Sequence, residues 1–138
     1  MTEYKLQLAE FFLRTFTGII FLFQGYDKLF RIKMPGVIQV FTADADKFHI
    51  PKPLLSVIAW YTGIAEFVGG LFLLVGFFTT YALYALGLDL LLVAFAFSYM
   101  EPLWNMKHVF PRLLLIVTLL ILPEAYSTIC LDHFLNLK

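Results

Sequence analysis

Long apolar runs interrupted by a few ionisable residues make up most of the 138-residue chain. A helix needs about 20 mostly apolar residues to cross the hydrocarbon core of a bilayer. Four stretches have this length, at about residues 8–30, 54–78, 81–100 and 109–129. The second and third are joined by the short turn FFTTY, which predicts an antiparallel hairpin. The pattern predicts an all-α integral membrane protein, a single membrane domain folded as an up-down bundle of four transmembrane helices.

The segment from Met34 to Pro53 does not have the pattern of a span. It opens with Pro-Gly, closes with Pro-Lys-Pro, and places apolar residues among acids and lysines. Such a pattern is typical of a short helix that lies at the membrane surface or re-enters it. We therefore predict an interfacial or re-entrant helix over about residues 35–48, with a plain connecting loop as the alternative.

Composition supports the membrane assignment. Hydrophobic residues make up 61% of the chain and charged residues 14%, whereas about 25% of a soluble domain is charged. The formal net charge is +0 and the basic residues are scattered, so no nucleic-acid partner is predicted. The predicted partners are the lipid bilayer, and other membrane subunits or further copies of the chain.

Lysine and arginine counts outside the spans give an orientation. The first and third connections carry Arg31, Lys33, Lys47, Lys52 and Lys107. The termini and the FFTTY turn carry Lys5 and Lys138. Because basic residues accumulate on the cytoplasmic side, the long loops are predicted to be cytoplasmic and both termini external.

Cysteine and histidine give no sign of a metal or disulfide. Cys130 is the single cysteine, so the chain has no internal disulfide and no CxxC pair. The histidines, His49, His108 and His133, lie outside the predicted spans and have no partner one helical turn away. No metal site is predicted.

Ionisable residues inside the predicted spans are the main functional signal. A charge at the centre of a transmembrane helix costs about 2.5–3.5 kcal/mol on insertion, so it usually faces a partner or a cavity. Glu66 lies ~18 Å from either end of its predicted span. Asp89 lies ~12 Å and Arg14 ~9 Å from the turn side, whereas Lys28 lies near a span end.

Helical periodicity places these residues on the faces that carry small residues, which let helices approach closely in lipid. By depth, we expect Arg14 to pair with Asp89, with Glu66 about one turn deeper. The predicted buried site consists of Arg14, Gln24, Lys28, Glu66 and Asp89. The predicted helix-packing glycines are Gly18, Gly25, Gly63, Gly69, Gly70 and Gly76. The alternative is that the charges only fix the register of the helices.

Two segments resemble the DoxX-like family of small four-helix membrane proteins. The first is R-x3-G-x2-F-L-x2-G-x2-K-L, from Arg14 to Leu29. The second, from Ile50 to Thr79, is a proline-containing entry followed by GIAEFVGG. The residues that this resemblance carries over are Arg14, Gly25, Lys28, Glu66, Gly69, Gly70 and Gly76.

The resemblance implies a bacterial inner-membrane protein. The family is named after a small subunit associated with a terminal quinol oxidase, and relatives occur in thiosulfate–quinone oxidation. Others belong to oxidoreductase complexes that handle thiol stress, and distant eukaryotic relatives resemble assembly chaperones. The lone Cys130 argues against direct thiol chemistry in this chain.

Three functions are compatible with the sequence. The first is a small accessory subunit of a quinone-linked membrane complex, without intrinsic cofactor or catalysis of its own, that binds a quinone or lipid at the polar site. The second is a small-molecule or lipid-binding protein or transporter. The third is an assembly factor or structural subunit without a ligand.

Overall fold

The computed structural model describes residues 2–47, 49–100, 109–123 and 127–135, and the regular elements of this part of the chain are all helices. The prediction of an all-α protein is therefore confirmed. In chain order the elements are α1 (Thr2–Tyr26), a π-helical turn (Asp27–Arg31), α2 (Lys33–Lys47), α3 (Lys52–Val75), α4 (Thr79–Met100), α5 (Phe110–Ile121) and the short α6 (Leu131–Phe134).

Three helical stretches are long and apolar enough to cross a membrane. They cover Glu3–Arg31, Lys52–Val75 and Thr79–Ala96, close to the first three predicted spans. Large apolar side chains such as Phe12, Phe23 and Phe95 are exposed along them, as expected for helices that contact lipid. The chain is an integral membrane protein by these helices.

The fourth predicted span, residues 109–129, is not one continuous helix. α5 has 12 residues, a length of about 18 Å against a hydrocarbon core of about 30 Å. The helix ends because Leu122, the residue before Pro123, has the extended conformation, with φ −63° and ψ 129°, that a following proline favours. The count of four spans stays a prediction.

Several sequence-based expectations fall outside the described residues. Residue 48, at the end of the predicted interfacial segment, is one of them, as are residues 124–126 of the predicted fourth span. Lys107, Lys138 and His108 also lie outside this part of the chain.

The segment between the first two spans is a helix. Met34 and Val37 of α2 are buried with Ala59 of α3, and Ile38 and Phe41 pack beside them. The apolar face of α2 therefore lies on α3, and the plain-loop alternative is wrong. Placement of α2 at the membrane surface stays a prediction.

Backbone contact between α1 and α3 is made at glycines. A Cβ on Gly25 would overlap the backbone of Phe67, and one on Gly70 would overlap the backbone of Leu22. A Cβ on Gly18 would lie 3.0 Å from the carbonyl oxygen of Gly70. No side chain fits between the two helices at these positions, as in other tight helix contacts within lipid.

The other predicted packing glycines lie at further contacts. Gly69 packs against Leu86 of α4, and a Cβ on Gly63 would overlap the side chain of Met34. Gly76 ends α3 with φ 70°, a left-handed conformation that glycine adopts without steric cost. A Cβ at Gly76 would also lie 2.6 Å from Cβ of Cys130, so the C-terminal segment packs directly on this turn.

We predict that Gly70→Ala destabilises the bundle although alanine normally favours a helix interior over glycine by about 0.5–1 kcal/mol. Overpacking at such a contact costs about 1–3 kcal/mol. Gly87→Ala on α4 is the matched control, because its Cβ would lie 3.8 Å from the nearest heavy atom, Cγ2 of Ile116. Thermal unfolding in detergent should show a lower midpoint for Gly70→Ala only; equal midpoints would contradict the α1–α3 contact.

Candidate functional site

Buried ionisable residues form two separate clusters, and the first surrounds Arg14 of α1. The Arg14 side chain is 1% exposed. Its Nε donates to Oε1 of Glu10 at 2.9 Å, and Nη1 donates to the carbonyl oxygen of Leu73 at 2.6 Å. Nη2 donates to the carbonyl oxygen of Ile129 at 2.6 Å. Each guanidinium nitrogen thus has an acceptor, and we call this group the Arg14 cluster.

The Arg14 cluster joins three parts of the chain. Glu10 and Arg14 belong to α1, Leu73 to the end of α3, and Ile129 to the segment after α5. Ser127 donates its hydroxyl to Oε1 of Glu10 at 3.2 Å. A guanidinium presents its donors in a rigid fork, so this arrangement fixes the relative position of these segments. Its geometry is that of a structural tie.

The expected pairing of Arg14 with Asp89 is wrong. The glycine contacts between α1 and α3 set a register in which Arg14 lies beside Leu73, two residues before the end of α3. Asp89 lies ten residues into α4 from Thr79, about 15 Å along that helix. The depth estimate failed because the ends of the helices are not level. The first turns of α1 extend past the end of α3, so Arg14 meets α3 about 3 Å from its end.

Glu10 is a buried partner of Arg14 that the sequence interpretation missed. It precedes Arg14 by four residues, the spacing at which a carboxylate and a guanidinium meet on a helix. This signal was available in the sequence. The more distant partners of Arg14 are backbone carbonyl groups, which a pattern of side-chain types cannot predict.

The second group, the Glu66 cluster, contains most of the predicted site. Nζ of Lys28 lies 2.7 Å from Oε2 of Glu66. The Glu66 side chain is 2% exposed and that of Lys28 is 26% exposed, so the cluster reaches the protein surface at the lysine. Lys28 belongs to the π-helical turn Asp27–Arg31, and such turns occur frequently at functional sites.

Asp89 completes the cluster from α4. It is 0% exposed, and neither Oδ1 nor Oδ2 has a hydrogen-bond partner among the described residues. Glu66, Lys28 and Arg112 all lie within electrostatic range of it. Oε1 of Gln24 is likewise buried without a partner in the described part of the chain.

The two acids lie at nearly the same depth. Glu66 lies nine residues before Val75, the end of α3, and Asp89 ten residues after Thr79, the start of α4. At 1.5 Å per residue these distances are about 14 and 15 Å, roughly half of a hydrocarbon core of about 30 Å. Lys28 and Arg112 approach the acids from the opposite end of the bundle.

Arg112 is the second residue that the sequence interpretation did not assign to the site. It lies near the start of the fourth predicted span, a position from which an arginine side chain can reach the lipid headgroups. It is half-buried and interacts electrostatically with both Glu66 and Asp89. The antiparallel order of α4 and α5 supplies the reason, since the start of α5 runs beside the second half of α4.

Asp27 and Arg31 form a pair outside the cluster. Nη1 of Arg31 lies 3.5 Å from Oδ1 of Asp27, and both side chains are exposed. Among the described residues no group of three or more His, Cys, Asp or Glu side chains is placed to hold a metal ion.

The chain is similar to a known protein family. The DoxX family model matches residues 9–99, about two thirds of the 138 residues. The matched region contains Arg14, Lys28, Glu66 and Asp89. None of the curated proteins and none of the solved structures matches the chain.

We predict that Arg14→Met strongly destabilises the protein. The change leaves Glu10 and the carbonyl groups of Leu73 and Ile129 without their donor, and breaking a buried ion pair costs about 3–5 kcal/mol. Arg31→Met is the control, because the Arg31 side chain is 77% exposed. Unfolding in detergent followed by circular dichroism measures both. Similar midpoints for the two variants would show that Arg14 does not tie the helices.

Proposed function

The chain belongs to the DoxX family, and we propose that it is a small accessory subunit of a quinone-linked complex in a bacterial inner membrane. The Glu66 cluster would bind the headgroup of a quinone or quinol from the bilayer. The chain would bind and orient this molecule, and electron transfer would take place on partner subunits.

One observation carries the proposal: neither carboxylate oxygen of Asp89, which belongs to the Glu66 cluster, has a hydrogen-bond partner among the described residues. The amide oxygen of Gln24, four residues before Lys28, is also buried without a partner in the described part of the chain. A buried polar group without a partner costs about 1–3 kcal/mol. Ionisable groups within a membrane default to a functional site unless they are paired.

A quinone headgroup fits the mixture of donors and acceptors. The carbonyl oxygens of the oxidised form accept hydrogen bonds, which the ammonium of Lys28 and the guanidinium of Arg112 can donate. The hydroxyl groups of the reduced form can donate to Asp89 or Gln24. The same cluster therefore offers partners to both forms, and its membrane depth suits a molecule dissolved in the acyl chains.

Access through Lys28 also supports this assignment. The lysine side chain is partly exposed, and the neighbouring rings of Phe30 and Phe67 lie 5.5 Å apart between centroids. Since Phe30 is exposed, an apolar tail would find aromatic surface beside the polar entrance. A lipid headgroup with carbonyl and hydroxyl groups has similar chemistry and is the competing ligand in the test below.

The remaining elements complete the proposed arrangement. The loops next to Lys28 and Arg112 would face the cytoplasm, with α2 along that membrane surface and both termini outside. α5 would serve as a fourth membrane element. Other membrane subunits or further copies of the chain would contact the exposed apolar faces of α1, α3 and α4.

We predict saturable binding of a short-tailed ubiquinone to the purified protein in nanodiscs, and weaker binding by Asp89→Asn. A hydrogen bond to a charged group contributes about 1.5–3 kcal/mol, so the dissociation constant should rise at least about tenfold. Asp27→Asn is the control, because it makes the same chemical change at an aspartate that belongs to an exposed ion pair with Arg31. Titration calorimetry, with empty nanodiscs subtracted, gives the constants.

The outcomes separate the three functions. Binding that is weakened by Asp89→Asn and by Lys28→Met supports the quinone site. If the protein binds phospholipid or another small molecule instead of ubiquinone, and Asp89→Asn and Lys28→Met weaken that binding, the cluster is a lipid or small-molecule site and the quinone assignment is wrong. If the wild type binds no ligand and both variants have reduced thermal stability, the chain is an assembly factor or structural subunit without a ligand.

A further inference from the structure

A cavity lies at the opposite end of the bundle from Lys28, where α3 ends and α4 begins. Its volume is about 560 Å³, within the range of about 300–1,000 Å³ typical of small-molecule sites. Residues of α1, the start of α4, the end of α5 and the C-terminal segment line it. We call it the terminal cavity; no residue of the Glu66 cluster is among its described lining residues.

The terminal cavity is lined by both polar and apolar side chains. Glu10, Thr79 and Ser127 form polar lining, while Leu83, Leu119 and Leu120 contribute apolar lining. A molecule that filled it would need a polar headgroup and a hydrocarbon body. This combination is typical of binding sites in which a few polar groups orient a mostly apolar ligand.

Two buried oxygens at this cavity lack partners. Glu10 is 2% exposed; its Oε1 accepts from Arg14 and Ser127, but Oε2 has no hydrogen-bond partner among the described residues. Oγ1 of Thr79 is also buried without one in this part of the chain. Oε2 of the Glu10 carboxylate can only accept, whereas the Thr79 hydroxyl can accept or donate, so a ligand that donates hydrogen bonds satisfies both atoms.

The charges around the cavity favour a cationic donor. Asp132 also lines it and accepts from the backbone N–H groups of Phe78 and Thr79 at 2.8 and 2.9 Å. Arg14 directs its nitrogen atoms to Glu10 and to backbone carbonyl groups. The described lining contains the carboxylates of Glu10 and Asp132 and the imidazole of His133. Its carboxylates outnumber the one lining side chain that can become cationic, which favours a cation over an anion.

We propose that the terminal cavity binds an amphiphile with a primary ammonium headgroup, which donates to Oε2 of Glu10 and Oγ1 of Thr79 while its hydrocarbon chain lies against α4 and α5. An ammonium group carries three N–H donors, enough for both oxygens. A neutral hydroxyl group offers a single donor, and a quaternary ammonium offers none. This site is independent of the Glu66 cluster and of the ligand proposed there.

The test compares four single-chain probes in phosphatidylcholine nanodiscs, each kept below its micelle-forming concentration. The probes are dodecylamine, dodecanol, dodecyltrimethylammonium and dodecanoate. Titration calorimetry with empty nanodiscs subtracted should give one saturable dodecylamine site per chain. Dodecanol and dodecyltrimethylammonium should bind at least about tenfold more weakly, and dodecanoate should not bind. Equal binding of dodecylamine and dodecyltrimethylammonium, or binding of dodecanoate, would overturn the proposal.

Variants then locate the site. Thr79→Val removes one acceptor and keeps the backbone N–H that Asp132 caps, so dodecylamine binding should weaken about tenfold. Thr118→Val on α5 is its control, because the Thr118 hydroxyl is bonded to the carbonyl oxygen of Leu114. Glu10→Gln should weaken binding as well, with the exposed Glu3→Gln as control. Unchanged binding in Thr79→Val would place the amine elsewhere and overturn the proposal.

Two further experiments identify the source of the amine and the site at which it binds. Replacing part of the phosphatidylcholine by phosphatidylethanolamine should compete with dodecylamine if the amine comes from a lipid headgroup; without competition, the site takes single-chain amines. Asp89→Asn should leave dodecylamine binding unchanged. If Asp89→Asn abolished it, the amine would occupy the Glu66 cluster and the terminal site would be wrong, whatever the outcome for ubiquinone.

Discussion

Backbone contact between α1 and α3 is the constraint on which the rest of the structure depends. Gly18, Gly25 and Gly70 let the two helices touch without side chains between them, and this fixes how far one helix is shifted along the other. The register brings Arg14 to the carbonyl group of Leu73 and Lys28 to Glu66. Both buried clusters are consequences of that contact, because a helix is rigid over its length and cannot adjust one cluster without moving the other.

The two clusters solve the same problem of burial in different ways. A charge withdrawn from water must recover its lost hydration from partners within the protein. Arg14 recovers it with three acceptors, two of them backbone carbonyl groups, and the result is a tie between helices. Asp89 has electrostatic neighbours but no hydrogen-bond donor among the described residues. Neither oxygen of the Asp89 carboxylate is used within the described part of the protein, and the Glu66 cluster therefore carries the proposed function. In the Arg14 cluster, Oε1 of Glu10 takes part in the tie and only Oε2 is left unused.

Sequence patterns predicted the helices better than their mutual positions. Apolar length located the three long helices, and the small-residue faces pointed Glu66 and Asp89 toward the interior, where both are buried. The pairing of Arg14 with Asp89 failed because depth was counted from assumed helix ends, whereas the first turns of α1 extend past the end of α3. The fourth predicted span continues past Pro123, whereas α5 ends at Ile121 because the proline favours an extended conformation of Leu122. Contacts with backbone carbonyl groups, such as that of Arg14 with Ile129, depend on tertiary structure and leave no trace in residue type.

The residues of the two buried clusters lie partly inside and partly outside the region that the family model matches. Lys28, Glu66 and Asp89 lie within residues 9–99, so the core of the Glu66 cluster belongs to the part that the family model describes. Arg112, which adds a second cation to that cluster, and Ile129 and Asp132, which hold the C-terminal segment on α1 and α4, lie beyond it. The same later segment supplies one wall of the terminal cavity. The matched region therefore contains both carboxylates and the cation of Lys28, while the region beyond it adds the cation of Arg112 and lines the opposite end of the bundle.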